Sequence, residues 1–346
     1  MCNILEDDFK YIMNSEVDID KFNNRSILIT GATGLIGSLL TRFFLYLNSK
    51  WDYKIKIYAV IRNRSKAEEI YKDYATIGLN YIIADLEHDD ISVSEKIDYV
   101  VHAAAVTKSK MLISKPVDVI KIAVNGTEKL LDLAIRKKVK SVVYLSSMEV
   151  YGQPYTQRKI EESDLGSIDL TNLRSCYPES KRLCENLCTA YVHQYGLNVK
   201  VARLAQTFGA GILTSENRVF AQFARSVISE KNIVLHTEGN SEGNYVYTAD
   251  ALKAILILLL KGTPGESYNV VNERNHTTIK QMAFDVIANF GSNEQKVIID
   301  IPKENMGYAP EVHMKLSSKK MEELGWNPQF SLTKMYGRLI YWINNR

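Results

Sequence analysis

A glycine-spaced turn near the start of the chain is the feature that most constrains its fold. The apolar residues 27–29 lead directly into a turn containing Gly31, Gly34 and Gly37, and an apolar helical pattern follows at once. In this order of strand, turn and helix, Gly31 permits the tight turn and Gly34 lets the backbone approach a pyrophosphate. Gly37 allows the helix to pack closely on the strand. Because the N-terminal end of that helix presents free N–H groups and a positive dipole, it can hold phosphates. The turn therefore predicts a parallel α/β sheet that binds a dinucleotide.

The hydrophobic pattern divides the chain into three parts. Residues 1–24 form an N-terminal helical extension, which could pack on its own chain or cover a neighbouring subunit. Residues 25–207, with parts of 235–275, alternate between apolar strands and amphipathic helices, which is typical of a Rossmann-type doubly wound parallel sheet. Residues 208–346 contain mixed short strands and helices and are predicted to form mainly a smaller α/β substrate-binding lobe. The predicted strands are 27–29, 54–61, 80–84, 98–101, 141–145 and 198–203, and the helices are 35–47, 116–137, 177–195, 220–229, 250–260, 278–290 and 332–343.

Composition excludes several classes of function. The formal net charge of +3, from 43 basic and 40 acidic residues, gives no nucleic-acid footprint. The four cysteines show no metal-binding or redox spacing, so we expect reduced thiols and no metal. The acidic N-terminus does not resemble a signal peptide, and the apolar run 254–260 is too short to span a bilayer. These features favour a cytoplasmic protein that binds neither a membrane nor nucleic acid.

The end of the second predicted strand is where a dinucleotide enzyme selects its cofactor. A carboxylate at this point would bind the adenosine ribose diol, whereas an arginine accommodates a 2′-phosphate. This chain has Arg62 and Arg64 there, which favours NADP, although an arginine stacked on adenine would also permit NAD. Asp85 ends the third strand and could accept a hydrogen bond from the adenine amino group. We interpret His102, which ends the fourth strand, as a packed histidine rather than a catalyst.

A tyrosine, a lysine and a serine form the candidate catalytic group. Tyr177 and Lys181 are four residues apart on one face of a predicted helix, and Ser147 follows the fifth strand. A tyrosine has a pKa of about 10 and is a poor base near neutral pH. We therefore expect the Lys181 ammonium to lower the pKa of Tyr177, and Ser147 to hold the same substrate oxygen. This arrangement predicts proton transfer through Tyr177 while hydride passes to the cofactor.

With these motifs the chain resembles the extended short-chain dehydrogenase/reductase family, in particular its nucleotide-sugar epimerases, dehydratases and decarboxylases. The resemblance covers about residues 25–335 and includes the glycine turn, Asp85-Leu86, the segment 102–105, the segment 125–127 and the segment 146–152. It implies oxidation of the sugar at C4, chemistry at a neighbouring carbon, and return of the hydride. Besides the residues above, it assigns to the cofactor Thr33, Leu35, Ile36, Leu86, Ala103, Ala104, Ala105 and Asn125. It assigns to the nucleoside diphosphate sugar Thr107, Ser147, Met148, Gln206, Arg218 and Arg274.

Glu149 is the residue that bears on the branch of the family. The resemblance implies a second base at this position in dehydratases and decarboxylases, which removes a proton made acidic by the C4 ketone. Dehydratases acting on deoxythymidine-linked glucose carry an aspartate at the position of Met148, and methionine cannot donate a proton. Many relatives also carry an arginine at the position of Gly243, which disfavours a glucuronate decarboxylase. Glu149 therefore slightly favours a dehydratase, with an epimerase still open.

We expect a redox-neutral nucleotide-sugar epimerase/dehydratase with Ser147, Glu149, Tyr177 and Lys181 as catalytic residues and with NADP or NAD as cofactor. One alternative is a 4-ketoreductase with exchangeable NADPH, and another is a non-catalytic dinucleotide sensor or scaffold. The default assembly for such enzymes is a homodimer. The sugar and the nucleotide base are set by contacts in the C-terminal lobe, which these motifs do not specify.

Overall fold

A seven-stranded parallel sheet forms the centre of the protein, whose computed structural model describes residues 4–155, 158–302 and 311–345. All six strand pairings in this sheet are parallel, and the spatial order is β10-β6-β5-β4-β1-β2-β3. The order reverses beside β1, so the carboxyl ends of β1 and β4 border the crevice where such sheets bind ligands. The strands are β1 (Ser26–Thr30), β2 (Lys56–Ile61), β3 (Leu79–Ile83), β4 (Tyr99–His102), β5 (Ser141–Ser147), β6 (Val199–Leu204) and β10 (Ser267–Val270).

Helices cover both faces of this sheet. Alternate residues of a strand point to opposite faces, so Ile27 and Ile29 pack in one apolar core and Leu28 packs in another. Because both faces are buried at the centre of the sheet, residues 27–29 of β1 and 99–101 of β4 are apolar without interruption. The helices packed on the sheet are α2 (Leu35–Lys50), α3 (Arg64–Tyr71) and α8 (Thr248–Lys261) on the first face, and α5 (Pro116–Arg136) and α6 (Cys176–Tyr195) on the second. The short α4 (Ser109–Ser114) precedes α5.

The C-terminal part of the chain adds a smaller mixed lobe. Its three-stranded sheet has the order β11-β9-β7, in which β9 is antiparallel to β11 and parallel to β7. A second sheet pairs β8 with β12. The strands are β7 (Gln206–Phe208), β8 (Ile233–Leu235), β9 (Glu242–Tyr247), β11 (Asn272–Thr278) and β12 (Val297–Ile299). The helices are α7 (Val219–Ile228), α9 (Ile279–Phe290), α10 (Lys319–Glu323) and α11 (Leu332–Asn344). Because β10 lies in the large sheet, the chain returns to that sheet after entering the lobe.

The N-terminal helix α1 (Ile4–Met13) packs on its own chain. Its apolar face is buried against α8 and α2, with Phe9 1% exposed. The Asp8 carboxylate accepts hydrogen bonds from Arg338 (2.7 Å) and Tyr247 (2.8 Å). The Tyr11 hydroxyl donates to Asp250 at 2.6 Å. The sequence leaves open whether this helix packs on its own chain or covers a neighbouring subunit, and the structure shows it packed on its own chain.

The strands and helices predicted from the sequence are present within a few residues of their predicted bounds, and the doubly wound parallel sheet is confirmed. The N-terminal helix is shorter than its apolar pattern suggests, because it ends at Met13 and Val17 lies beyond it. The helices α3, α4 and α10 were not predicted from the sequence. In the part of the chain described, no helix is both long enough and apolar enough to cross a membrane.

The contact between α2 and the glycine turn can be tested with two helical glycines. A Cβ added at Gly37 would lie 2.3 Å from the Gly31 carbonyl oxygen. We expect Gly37→Ala to lower the free energy of unfolding by about 1–3 kcal/mol, because backbone atoms must separate. At Gly337 in α11, the Cβ would lie 3.6 Å from the Phe290 ring, so Gly337→Ala should stabilise the protein by roughly 1 kcal/mol. Urea denaturation of both variants measures the two effects, and equal stabilities would contradict the close contact.

Candidate active site

The glycine turn joins β1 to α2 with backbone groups in close contact. Gly31 has φ +65°, and a Cβ there would lie 2.7 Å from the carbonyl oxygen of Ala103. The Gly34 N–H donates to the Gly31 carbonyl at 2.8 Å, and α2 begins at the next residue. Thr33, Gly34 and Leu35 are half-buried, and Ile36 and Gly37 are buried in α2. The turn therefore presents backbone N–H groups at a helix N-terminus beside the carboxyl end of β4, an arrangement suited to phosphates.

The two arginines after β2 point in different directions. Arg62 faces Asp85 across the ends of β2 and β3, with 3.9 Å between the guanidinium and the carboxylate. Arg64 is the first residue of α3, where it pairs with Glu68 at 2.9 Å and lies over the Tyr81 ring. The structure therefore places Arg62 near the predicted ribose site and directs Arg64 along α3.

Lys66 and Lys108 add positive charge beside Arg62, and the sequence analysis missed both. Burial lowers the pKa of Lys66, and the charges of Lys108 and Arg62 lower it further. Lys66 lies in the first turn of α3 and Lys108 precedes α4, so three cations from separate segments converge here. Three basic residues so placed can bind an anionic group. Their convergence depends on α3 and α4, two helices that were not predicted from the sequence.

The other predicted cofactor residues lie along the crevice bordered by β3, β4 and α5. Leu86 is buried and packs against α5 at Gly126, where an added Cβ would lie 3.0 Å from the Leu86 Cβ. Ala103 and Ala104 are half-buried at the end of β4, whereas Ala105 and, on α5, Asn125 are exposed. Small residues after β4 leave the backbone accessible to a ligand.

Ser147 and Tyr177 meet at the carboxyl end of β5. Ser147 is the last residue of β5, Tyr177 lies in the first turn of α6, and the Ser147 hydroxyl is near enough to lower the pKa of the Tyr177 phenol. The Ser147 Oγ also accepts from the Glu149 N–H at 3.2 Å. Both side chains are half-buried, so a substrate hydroxyl can approach them from the crevice.

The prediction that Lys181 lowers the pKa of Tyr177 is wrong for this structure. Burial, together with the negative charge of Glu149, raises the pKa of Tyr177 to about 12. The Lys181 ammonium instead donates to the Leu145 carbonyl at 2.7 Å and lies over the Tyr144 ring. Burial also lowers the pKa of Lys181 to about 8. Lys181 is therefore held against β5, and desolvation governs Tyr177.

Glu149 lies in the same cluster, in a short 3-10 helix that continues from β5. Burial raises the pKa of its carboxyl, and the Arg174 and Arg218 guanidinium groups oppose that effect. Arg174 donates to the Glu149 carboxylate at 3.4 Å and to the Ser109 hydroxyl at 3.4 Å. Arg174 was missed because it lies in a one-turn 3-10 helix (Leu173–Ser175) before α6, and its only sequence signal is its position three residues before Tyr177.

The predicted substrate residues divide between this cluster and the lobe. Arg218 pairs with Glu216 at 2.7 Å and is near enough to lower the pKa of both Glu149 and Tyr177. Met148 is buried, and its methyl group lies 3.9 Å from the position of a Cβ on Gly243.

Arg274 is directed elsewhere in the structure. Its guanidinium donates to the Pro328 carbonyl, so it links β11 to the segment before α11. Gln206 begins β7 beside Tyr245, and Thr107 is exposed in the loop after β4. The structure therefore brings Met148 and Arg218 together with the catalytic group, but not Arg274.

Comparison with known proteins identifies the family. Residues 27–271 match the model described as the NAD dependent epimerase/dehydratase family, and this segment contains the glycine turn and the whole cluster around Tyr177. The chain belongs to this family. As a member of the NAD dependent epimerase/dehydratase family it is an enzyme, and the family's cofactor is an NAD-type dinucleotide.

Curated relatives in this family are distant. A UDP-glucuronic acid decarboxylase of Arabidopsis thaliana is 26% identical over 90% of this chain and 86% of its own length. A trifunctional protein of the same plant combines a UDP-glucose 4,6-dehydratase, a UDP-4-keto-6-deoxy-D-glucose 3,5-epimerase and a UDP-4-keto-L-rhamnose reductase. It is 25% identical over 90% of this chain, which spans 46% of that protein.

Solved structures of the family share the fold. UDP-glucose 4-epimerase from Thermotoga maritima, solved with UDP-glucose, has a TM-score of 0.77 and 22% identity, covering 92% of this chain and 98% of that one. The dTDP-glucose 4,6-dehydratase of Streptomyces venezuelae, solved with NAD, has a TM-score of 0.73 and 22% identity, covering 93% of this chain and 97% of that one. These likenesses extend the shared architecture beyond residue 271 into the C-terminal lobe.

The pairing of Arg174 with Glu149 predicts a pH effect on turnover. Arg174→Gln removes the largest interaction that lowers the pKa of Glu149, so this pKa should rise. If the Glu149 carboxylate acts as a base, the acid limb of the kcat/KM profile will move to higher pH, because more alkali is needed to ionise it.

The control for that experiment is Arg158→Gln, which breaks an exposed pair with Asp164 in another part of the protein. The control should keep the wild-type acid limb. An acid limb that stays in place in Arg174→Gln would show that Glu149 does not govern this limb.

Proposed function

We propose that this enzyme converts a nucleoside diphosphate sugar through a transient 4-keto intermediate and returns the hydride to the sugar, with no net redox change. The observation that carries the proposal is the grouping of Ser147, Glu149 and Tyr177 at the carboxyl end of β5. Ser147 and Tyr177 suit the C4 hydroxyl, and Glu149 supplies a second base beside them. The curated relatives named above act on UDP sugars, which supports this class of substrate.

Tyr177 and Ser147 handle the proton of the C4 hydroxyl. In this mechanism the Tyr177 oxygen takes that proton while Ser147 donates a hydrogen bond to the same substrate oxygen. NAD or NADP, when bound, supplies the hydride acceptor for the C4 hydrogen. Because burial and Glu149 raise the pKa of Tyr177, its phenolate is unfavourable until positive charge enters the pocket. Oxidation of the substrate therefore requires that the pocket is filled and has gained positive charge.

Glu149 acts on the carbon next to the ketone. A C4 ketone acidifies the neighbouring C–H, and the Glu149 carboxylate takes that proton, which leaves an enolate. Arg174 and Arg218 favour the ionised form of this carboxyl and so oppose the effect of desolvation. From the enolate, loss of a hydroxyl gives a dehydratase, and reprotonation on the other face gives an epimerase. Glu149 slightly favours a dehydratase. Met148, however, cannot donate a proton to the hydroxyl that a dehydratase expels.

The second candidate is a nucleotide-4-keto-sugar reductase that consumes NADPH. The converging charges of Arg62, Lys66 and Lys108 favour it, because three cations at the ribose end would bind a 2′-phosphate. A reductase needs Tyr177 to donate a proton to the C4 oxygen, and a pKa of about 12 keeps this phenol protonated. If the enzyme is a reductase, Glu149 has no required role in the chemistry.

Mass spectrometry of reactions with a panel of nucleotide sugars and no added cofactor separates these candidates. A product lighter by one water identifies a dehydratase, and an isomer of unchanged mass identifies an epimerase. Glu149→Gln should lower turnover by about 100-fold or more, as expected for loss of a general base. Glu179→Gln, which alters a half-buried pair with Arg182 on α6, should not. Conversion only of a 4-keto sugar with added NADPH would overturn the redox-neutral proposal in favour of the reductase.

Cofactor preference can be tested separately through Arg62. We propose that NADP is preferred over NAD. Arg62→Ala should weaken NADPH binding by about tenfold relative to NADH, as expected for loss of one charge-assisted contact. Arg64→Ala is the matched control and should leave the ratio unchanged, because Arg64 pairs with Glu68 along α3. Fluorescence titration gives both dissociation constants, and equal affinities in the wild type would contradict the preference.

We propose that the protein is a cytoplasmic homodimer. Val117 and Ile120 on α5 and Leu183 on α6 are exposed by 43–58%, and these side chains could pack against a second copy. The described cysteines 176, 184 and 188 are free and buried, in keeping with a reducing compartment, and Cys2 lies outside the described residues. The domain bounds at residues 24 and 207 are likewise proposals.

A further inference from the structure

A buried chain of hydrogen bonds runs across the sheet behind the cofactor crevice. Thr30 at the end of β1 and His102 at the end of β4 are register partners, and Thr127 lies on α5. The Thr30 hydroxyl is 2.6 Å from His102 Nδ1, and His102 Nε2 is 3.2 Å from the Thr127 hydroxyl. The three residues are 0%, 3% and 1% exposed. The mechanism proposed above gives none of them a role.

The hydrogen-bond partners fix the position of each proton. The Thr127 hydroxyl donates to the Ala123 carbonyl at 2.7 Å, which can only accept, so Thr127 must accept from His102 Nε2–H. The neutral ring then carries a lone pair on Nδ1 and accepts the proton of Thr30. The Thr30 oxygen is therefore free to accept from the Ala104 N–H, which lies 3.1 Å away.

Both ends of this chain reach functional segments. At one end, the Ala104 amide belongs to the segment after β4 that approaches the Gly31 turn to within van der Waals contact. At the other end, Cys184 of α6 contacts both Thr127 (3.4 Å) and the Ala123 carbonyl (3.3 Å). This chain of hydrogen bonds thus joins the backbone that lines the crevice to α6, the helix that carries Tyr177.

The surroundings of His102 keep its ring neutral. Burial, together with the charge of the Lys181 ammonium, lowers the pKa of His102 to about 3. Lys181 and His102 both contact the Tyr144 ring, at 4.6 Å and 5.6 Å from its centroid. A protonated ring would donate from both nitrogens, so Thr30 could no longer donate to Nδ1.

We infer that His102 is a positioning residue for the dinucleotide: through Thr30 it orients the Ala104 amide, and so sets the spacing between segment 103–105 and the Gly31 turn. The inference rests on dinucleotide binding at that turn. His102 touches neither the sugar nor the nicotinamide in this role. The two ring nitrogens of His102 have different functions. Nδ1 accepts from Thr30 and so positions the backbone of the crevice, whereas Nε2–H donates to Thr127 and anchors the ring to α5.

Two conservative variants separate these functions. In His102→Asn the side-chain oxygen can reach the Nδ1 position and still accept from Thr30, whereas His102→Gln places its amide near the Nε2 position. We expect Thr30→Val and His102→Gln to weaken NADH and NADPH binding by about tenfold, the loss typical of one buried hydrogen bond. His102→Asn should retain most of the affinity. Dissociation constants come from fluorescence titration of the folded full-length protein at one salt concentration.

A stability control is needed because these residues are buried. Met282→Ala creates a cavity under α9 in the C-terminal lobe, where Met282 is 0% exposed, and so lowers the melting temperature without touching the crevice. It should bind both dinucleotides as the wild type does. The inference is supported if only Thr30→Val and His102→Gln bind weakly at matched stability.

Two outcomes would overturn the inference. In the first, the His102 and Thr30 variants melt earlier yet bind dinucleotides with wild-type affinity, which would make the chain merely structural. In the second, His102→Asn binds as weakly as His102→Gln, which would remove the special role of Nδ1. Wild-type binding of dinucleotides without conversion of any nucleotide sugar would instead refute the proposed function and leave this inference standing.

Discussion

The contact between the backbone of the Gly31 turn and the first turn of α2 is the constraint on which the site depends. Gly37 lies so close to the Gly31 carbonyl that a single methyl group would force the two apart. That approach points the N-terminus of α2 at the crevice between β1 and β4. The segment after β4 is drawn against the same turn, because Gly31 also contacts Ala103. Three backbone segments therefore define the phosphate site before any charged side chain contributes.

Burial dominates the electrostatics of the catalytic group. It raises the pKa values of Tyr177 and Glu149 and lowers that of Lys181, so each group is driven toward its neutral form. Arg174 and Arg218 oppose this drive at Glu149. A desolvated site of this kind responds strongly to an added charge, because little water is present to screen it. In the proposed mechanism, the same desolvation would couple proton transfer to occupation of the site.

The fold was predictable from the sequence because periodicity and glycine spacing are local signals. The strand at 27–29 and the helix at 177–195 were recognisable from single stretches of chain. The directions of Arg64 and Arg174 were not, since they depend on the start of the unpredicted helix α3 and on a short 3-10 helix before α6. The pKa of Tyr177 was predicted with the wrong sign, because sequence spacing shows a nearby lysine but not the burial that outweighs it.

The position of β10 has a consequence for how the chain acquires its structure. This strand pairs with β6 at the edge of the large sheet, yet more than sixty residues, among them β7 to β9 of the lobe and α8, lie between them in the chain. During synthesis, the sheet can be completed only after β7, α7, β8, β9 and α8 have left the ribosome. The first part of the lobe thus lies in a closed loop between two adjacent strands, and closing a loop of that length slows folding. The large sheet and the lobe are therefore distinct in architecture, but completion of the sheet depends on synthesis of part of the lobe.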